Sequence, residues 1–455
     1  MQVAPHILET APLLLTFGSA ILSVFYQLGK KWDRFVLGIL AFLFIYFTGL
    51  FFFPLAPVDH IAHGFFDISF NDITLFVGML FTGSLLVGLF PIRNDINFTA
   101  NFIFYVAGGI GLILANNLPT FFLFWTFQRS IPCFGFIKDI RKEGSTGGGT
   151  YIIQHFLTFV CFIIIMIMAY QADVLYLPLT EIPASFFTWP VLILSFVIIY
   201  QSHGIFPFHS WVHDIVGKLA WYEISCIFLS RVAVLLFVQM LLPSFSYDPD
   251  LFKILLLSLS IISSIYWSFR GIFELNANRT ITYFYVAQAS LLLTGLQADK
   301  TAAIGSYLHM MVISICGTSL WSILSYIQNH FNLKRSYQFY GLAQYFPRLA
   351  TLFCLFGFCM IGVPLGASFV VEDLVINGLL AQQPYLGLGH IVATCLNGIL
   401  FFMAFTRFFL GQSPYKQHVA NLDMKLSQMF PYLLALLTML MVGILPHLFL
   451  EKIRW

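Results

Sequence analysis

Long apolar runs constrain the fold of this chain more than any other feature of its sequence. They extend over Phe35–Phe53, Tyr151–Tyr170, Leu251–Trp267 and Pro431–Leu450. An α-helix needs roughly 20 apolar residues to cross the hydrocarbon core of a bilayer. Only 9% of the 455 residues are charged, so a soluble globule of this size could not cover its surface with polar groups. We therefore predict an all-α, polytopic membrane protein, because short alternating strands of a closed barrel are not evident.

Polar, proline-rich and glycine-rich breaks divide the chain into about 14 transmembrane helices. Basic loops alternate with acidic or neutral ones, and Lys/Arg-rich loops stay cytoplasmic. The longest polar loops have about 15–20 residues, so there is no room for a soluble domain or a nucleic-acid-binding face. The seven cysteines form neither a CxxC pair nor a Cys/His cluster. We therefore predict no metal site and no cofactor in this chain, and expect the lipid bilayer to be its surroundings.

Two segments interrupt the helical pattern with glycine and proline. The first is SHGIFP, near residues 202–207, and the second is GVPLGAS, near residues 362–368. A broken helix is tolerated at membrane depth only beside protein or water. Paired broken helices about 160 residues apart suggest inverted repeats with an ion path between them. Two ordinary proline kinks remain the simpler alternative.

Ionisable residues cluster around both breaks. The stretch YQSHGIFPFHSWVHDIVGKLAWYEISCIFLSR, at 200–231, is the densest. A charge at the bilayer centre costs at least about 2.5–3.5 kcal/mol on insertion scales, and histidine is suited to proton relay. We predict a proton path through His203, His209, Arg231, His309 and Glu372, with possible accessory residues Arg129, His213, Asp214, Lys218, Glu223 and Asp373. Any single histidine could instead be a hydrogen-bonded core residue, and Arg231 could be a fixed cation that neutralises a carboxylate.

Four further segments carry a family resemblance. They read AGGIGLILANNLPTFFLFW, GIFPFHSWVHD, ELNANRTITYFYVAQASLLLTGL and YGLAQYFPRLATLFCLFGFCMIGVPLGASFVVEDLVI. Their order and spacing, over roughly residues 100–410, resemble the antiporter-like membrane subunits of respiratory complex I, Mrp-type antiporters and membrane hydrogenases. The subunit M (NADH dehydrogenase subunit 4) type is the most similar. The resemblance implies about 14 spans, with two inverted five-helix repeats and two broken helices.

The resemblance implies a division of the chain into four parts. These are N-terminal transmembrane helices, a first antiporter-like repeat containing the first break, a second repeat containing the second break, and a C-terminal transmembrane helix. Their predicted bounds are 1–98, 99–242, 243–410 and 411–455.

Only some residues of the family's proton path have counterparts in this chain. Its fifth-helix glutamate should fall near Thr126 or Phe127, and its seventh-helix lysine near Ser202, with His203 alongside. Arg231 falls within about two residues of the basic position on the eighth helix, and Glu372 matches the twelfth-helix position. Serine cannot relay a proton as lysine does, and arginine does not deprotonate in proteins. The path therefore needs His203 in the role of the lysine, or else it is closed.

Three functions follow from these features. The first is a proton-translocating subunit, active or degenerate, of a multi-subunit energy-coupling complex such as an NADH-quinone-oxidoreductase-like translocase; the chain is not an enzyme alone. The second is the antiporter-like membrane subunit of an inorganic-carbon (CO2/bicarbonate) pump driven by proton flux. The third is a non-conducting structural module. The expected partners are other membrane subunits and a soluble protein with redox or carbonic-anhydrase-like chemistry. The expected location is the bacterial inner membrane, or otherwise the mitochondrial inner membrane.

Overall fold

The chain is predominantly helical. The computed structural model describes residues 15–16, 18–19, 30–52, 60–63, 66–93, 100–143, 148–216, 219, 221–229, 249–296, 300–331, 333, 339–413 and 422–447. Within these ranges the residues form two compact units, one within Met1–Leu85 and Ile96–Asp250 and the other within Leu86–Asp95 and Leu251–Trp455.

The first unit contains most of the N-terminal elements. Its helices are α1 (Lys30–Phe52), α2 (Asp72–Leu89, whose last turn belongs to the second unit), α3 (Ala100–Leu114), α4 (Leu118–Glu143), α5 (Gly149–Gln171), α6 (Trp189–His203), α7 (Trp211–Val216) and α8 (Trp221–Leu229). Short 3₁₀ turns at Leu179–Glu181 and Ala184–Phe186 connect α5 to α6.

One departure from the all-α prediction lies in the first unit. Strands β1 (His60–His63) and β2 (Phe66–Ser69) form an antiparallel hairpin. Its second strand is fixed by side chains from the start of α4 and the residues before it. The Asp67 amide donates to the Thr120 hydroxyl over 2.9 Å, and the Asn116 amide donates to the Asp67 carboxylate over 2.8 Å. These bonds satisfy polar groups of a short buried strand, which has no apolar alternation long enough to reveal it in the sequence.

The second unit contains the C-terminal helices. They are α9 (Pro249–Phe273), α10 (Ala277–Gly295), α11 (Lys300–His330), α12 (Pro347–Met360), α13 (Ala367–Gln382), α14 (Pro384–Phe409) and α15 (Leu426–Ile444). The long helix α11 packs against α10, α12 and α13, and α14 packs against α10 and α13. Every side chain of α10 from Thr280 to Gly295 is buried, so α10 and α11 form the centre of this unit.

The apolar helices fit a membrane-spanning architecture. Seven helices within the described ranges are long and apolar enough to cross a bilayer, and three shorter apolar helices accompany them. Several surfaces of these helices carry large exposed apolar side chains, such as Ile153 on α5 and Leu437 on α15. This is expected where lipid replaces water as the solvent. The exact number of spans and the inverted symmetry of the repeats stay predictions.

Candidate functional site

The first break follows α6 at the predicted place. α6 ends at His203, and Gly204 adopts the left-handed conformation at φ 65°. The amides of Gly204 and Ile205 donate back to the carbonyls of Gln201 and Tyr200 over 3.1 and 3.0 Å. Glycine suits this position because it has no Cβ to strain a left-handed residue. The following short helix α7 begins only at Trp211, so an irregular segment interrupts the span.

Arg129 of α4 reaches this break from a distant part of the sequence. Its guanidinium is buried, at 1% exposure, and Nη2 donates to the carbonyl oxygen of Ser202 over 3.4 Å. The guanidinium carbon lies 5.4 Å from the centroid of the Trp211 ring. Trp125, one turn earlier on α4, donates from its indole nitrogen to the Ser202 hydroxyl over 3.4 Å. A permanent cation therefore stands at the end of α6.

The three histidines of the first break occupy different environments. His203 is buried, and its Nδ1 donates to the Ile199 carbonyl one turn earlier, over 3.0 Å. His209 is half-buried in the irregular segment and stacks on Phe206, with ring centroids 5.5 Å apart. His213 of α7 lies beside His209, with ring centroids 6.5 Å apart. His209 in the irregular segment and His213 in α7 are thus neighbours, while His203 hydrogen-bonds to the backbone of its own helix.

Two carboxylates of the first unit lie in different surroundings. Asp214 accepts a hydrogen bond from the Tyr151 amide over 3.1 Å and another from the Thr150 hydroxyl. It therefore lies at the N-terminus of α5, where the helix dipole favours a negative charge. Glu223 is buried in the first turn of α8 and interacts electrostatically with Tyr105 of α3. The other two predicted groups, Lys218 and Arg231, lie outside the described residues.

The second break separates α12 from α13. Gly362 is left-handed at φ 75°, and α13 begins at Ala367. The carboxyl group of Glu372 packs directly against Gly362. A Cβ added at that glycine would lie 2.6 Å from Glu372 Cδ and 2.8 Å from Oε1, and closer still to Oε2. Glu372 is half-buried and hydrogen-bonds to none of the described residues, whereas its neighbour Asp373 is exposed and accepts from Asn377 over 3.1 Å.

A second set of polar groups is buried around His309. Nε2 of His309 donates to Gln288 Oε1 of α10 over 3.2 Å. His390 of α14 lies in electrostatic range of His309 and hydrogen-bonds through Nδ1 to Thr294 Oγ1 over 3.1 Å. The Thr294 hydroxyl hydrogen is already donated to the Leu291 carbonyl, so Nδ1 of His390 is the donor to Oγ1. When both rings are neutral, their basic nitrogens are therefore Nδ1 of His309 and Nε2 of His390.

Sequence reasoning missed His390 and Gln288. His390 lies in the segment LGLGHIVATCLNG, which has no charged neighbour and no proline. Both residues are 1–2% exposed. Gln288 is in a stretch that the resemblance identified, but an uncharged amide gave no reason to single it out. A polar residue within an apolar run was the only signal, and it is shared by many serines and threonines of this chain.

The structure brings together only some of the predicted path residues. His203, His209, His213, Asp214 and Glu223 lie in the first unit with Arg129, and His309, Glu372 and Asp373 lie in the second. In the second unit, α13 packs against α11, and the backbone of Val371, next to Glu372, lies against Gly305 of α11. His309 and Glu372 do not hydrogen-bond to each other. Their roles in proton transfer stay predictions. Within the described ranges, no three His, Cys, Asp or Glu residues are grouped to hold a metal ion.

Comparison with known proteins places these elements in a family. Residues 115–397 match the model of the family "NADH:quinone oxidoreductase/Mrp antiporter, TM". That range covers well over half of the chain and includes both breaks. The chain belongs to this family. The predicted resemblance is thereby confirmed, and the chain is a multi-pass membrane protein.

A relative and two solved structures are similar to this chain over most of its length. The chain is 22% identical over 394 residues to NADH-ubiquinone oxidoreductase chain 4 of Yarrowia lipolytica, covering 82% of this chain and 79% of that protein. Among solved structures, a chain of respiratory complex I from Thermus thermophilus is 16% identical with a TM-score of 0.80, covering 97% and 96% of the two chains. A chain of the Mrp complex from Dietzia sp. is 14% identical with a TM-score of 0.77, covering 99% and 96%. These two structures share the fold of this antiporter-like subunit.

The family positions can now be compared with the geometry. Thr126 and Phe127, where the resemblance places a glutamate, lie within α4 one turn before Arg129. Ser202, where it places a lysine, is the residue whose carbonyl Arg129 contacts. A cation is therefore present beside the first break, but it comes from α4 instead of α6 and cannot release a proton. The second break keeps a carboxyl group, Glu372, at the position that the resemblance implies.

Proposed function

We propose that this chain is a proton-translocating, antiporter-like membrane subunit of a multi-subunit energy-coupling complex, and that its proton path uses the second unit. The observation that carries this proposal is a set of titratable side chains beside a broken helix: two buried histidines on α11 and α14, and the half-buried Glu372 on α13. His309 and His390 are 4% and 2% exposed. Burying an ionisable group in a membrane protein costs free energy, and such groups mark ion pathways more often than structural cores.

The geometry of α10 favours transfer between the two histidines. Gln288, the partner of His309, and Thr294, the partner of His390, are six residues apart on one helix, about 9 Å along its axis. The amide nitrogen of Gln288 and the hydroxyl of Ser306 on α11 are buried without a hydrogen-bond partner among the described residues. Buried polar atoms of this kind are usually satisfied by internal water. Waters bound there would link His309 and His390 into a relay.

Glu372 is suited to be the entry or exit group of this path. Its carboxyl group contacts the irregular backbone at Gly362, and irregular backbone at membrane depth must border protein or water. A carboxyl group at such a position can bind and release a proton as the charge of its surroundings changes. The driving energy would come from partner subunits, with redox chemistry supplied by a soluble partner. The expected location is a bacterial inner membrane, or otherwise the mitochondrial inner membrane.

A pair of neighbouring carboxylates provides the test. The complex is reconstituted into vesicles, and proton flux is measured for the wild type, Glu372→Gln and the matched control Asp373→Asn. We expect Glu372→Gln to lower the flux at least tenfold, because glutamine cannot carry the proton, and Asp373→Asn to leave it near the wild-type value. Undiminished pumping by Glu372→Gln would remove Glu372 from the path.

A non-conducting structural role is the second candidate, and Arg129 favours it. A permanent cation at the end of α6 opposes proton passage through the first unit. If the whole chain is closed, the double variant His203→Gln with Glu372→Gln should retain the full activity and proton flux of the complex, with any defect confined to assembly. Loss of flux in a fully assembled double variant would exclude this role. The inorganic-carbon pump stays a prediction, and a large soluble Cys/His protein encoded next to this chain would favour it.

A further inference from the structure

Arg129 is a buried cation with too few partners. Its side chain is 1% exposed; Nη2 donates to the Ser202 carbonyl over 3.4 Å, and the guanidinium also interacts with the Tyr151 side chain. Nε and Nη1 are buried and have no hydrogen-bond partner among the residues that the structure describes. A guanidinium remains charged under all ordinary conditions. The N–H of Nε and the two N–H groups of Nη1 are therefore directed at something other than the described side chains.

The two described carboxylates predicted near the first break do not neutralise this charge. Asp214 binds the N-terminus of α5 through the Tyr151 amide and the Thr150 hydroxyl. Glu223 interacts electrostatically with Tyr105. Neither forms an ion pair with Arg129, and the Trp211 ring and one carbonyl oxygen supply only partial negative charge. An isolated buried cation is costly unless it is paired.

Further polar atoms with unmet hydrogen bonds lie on the neighbouring turns of α4 and α6 and on α5. His155 of α5 packs its ring on Trp125, with centroids 4.9 Å apart, and its Nδ1 is buried without a partner in the described part of the chain. His155 is also in electrostatic range of Arg129. Both side-chain amide atoms of Gln201, the neighbour of Ser202, and the hydroxyl of Thr126 lack partners in the same way. Most of these groups are hydrogen-bond donors, or can become donors by rotation or a change of tautomer.

We propose that Arg129, His155 and Gln201 form an internal site for a small monovalent anion between α4, α5 and α6. One unpaired guanidinium requires one negative charge. Arg129, Gln201 and Ser202 are each at most 1% exposed, so only a small anion would fit among them. Donors from three helices match the hydrogen-bonding needs of a halide-sized ion, which accepts bonds and donates none.

This site gives the unusual residues of the first unit a joint explanation. The resemblance implies a glutamate near Thr126, and the chain has a cation one turn further along α4 instead. A bound inorganic anion would supply the negative charge that the missing carboxylate does not. The inference does not depend on the proton path through Glu372, because the two sites lie in different units.

Bromide provides a direct test in the wild-type complex. Crystals of the complex are grown or soaked in bromide and in gluconate at equal ionic strength, and anomalous diffraction is recorded at the bromine edge. We expect a bromide peak within hydrogen-bond distance of Arg129 Nε or Nη1. Density for water alone at Arg129, without an anomalous peak, would overturn the proposal.

Stability measurements with two arginine variants give an independent test. The thermal unfolding midpoint of the complex is measured while chloride replaces gluconate at fixed ionic strength, because a ligand that binds the folded state raises the midpoint in a saturable manner. We expect this rise in the wild type and in the control Arg93→Gln, because the Arg93 guanidinium lies over the Phe90 ring outside the site. The rise should be lost in Arg129→Gln. Arg129→Lys should keep a weakened rise. An equal rise in Arg129→Gln, or no rise in the wild type, would refute the site.

Discussion

Gly362→Ala tests the contact between the second break and Glu372. Gly362 has a φ of 75°, and a non-glycine residue in the left-handed region costs about 1–2 kcal/mol. The new methyl group would lie 2.6 Å from Cδ and 2.8 Å from Oε1 of Glu372, closer than van der Waals contact allows. The carboxyl group must therefore rotate away, and an off-rotamer side chain costs about 0.5–1.5 kcal/mol more. The total expected loss in the free energy of unfolding is about 1.5–3.5 kcal/mol.

Gly398→Ala is the matched control for this substitution. Gly398 lies within α14, and no atom lies within 4 Å of the position that a Cβ would occupy. Alanine is favoured over glycine in a helix by roughly 0.5–1 kcal/mol, so this variant should be as stable as the wild type or slightly more stable. Unfolding is followed in mixed detergent micelles under identical conditions for both variants.

A double-mutant cycle separates the two costs of Gly362→Ala. In a Glu372→Ala background the steric part disappears and only the backbone cost of about 1–2 kcal/mol should remain. The coupling energy between the two positions should therefore be about 0.5–1.5 kcal/mol. Equal effects of Gly362→Ala in both backgrounds would show that the carboxyl group does not occupy the position described above. A stability change like that of Gly398→Ala would refute the left-handed turn itself.

Two further substitutions test contacts in each unit. Asp214→Asn should lower the free energy of unfolding by about 0.5–2 kcal/mol, because it weakens the hydrogen bonds at the N-terminus of α5. The exposed control Glu181→Gln should change the free energy of unfolding by less than about 0.5 kcal/mol. Equal effects of the two substitutions would show that Asp214 does not stabilise α5. His309→Leu should cost about 1–3 kcal/mol, because the Gln288 carbonyl loses its donor inside the protein. The double variant with Gln288→Leu should cost less than the sum of the single variants, and additivity within about 0.5 kcal/mol would refute the hydrogen bond.

The sequence predicted the features that depend on local chemistry. Long apolar runs predict membrane helices because each helix that crosses the hydrocarbon core must be apolar along its own length. The two breaks were also predictable, since Gly204 and Gly362 take left-handed conformations that glycine adopts without strain. Glu372 was found because it lies close to a break in the chain itself, and because the resemblance marked that position.

Contacts between distant segments could not be predicted in this way. Arg129 and Ser202 are 73 residues apart, and the pairing of His390 with Thr294 spans 96 residues. Nothing in the local pattern of either partner specifies the other, because helix packing decides which faces meet. Asp214 illustrates the same difficulty: its charge suggested a path residue, but packing of α7 against α5 gives it a capping contact. The β-hairpin was missed because its two strands have four residues each.

The central claim is that Glu372 gains and loses a proton as the complex works. Infrared difference spectroscopy of the reconstituted complex measures this directly, because a protonated carboxyl group has its own carbonyl stretching band. We predict a carboxyl difference band during turnover that is absent in Glu372→Gln and unchanged in Asp373→Asn. A difference spectrum that is the same in the wild type and in Glu372→Gln would contradict the claim.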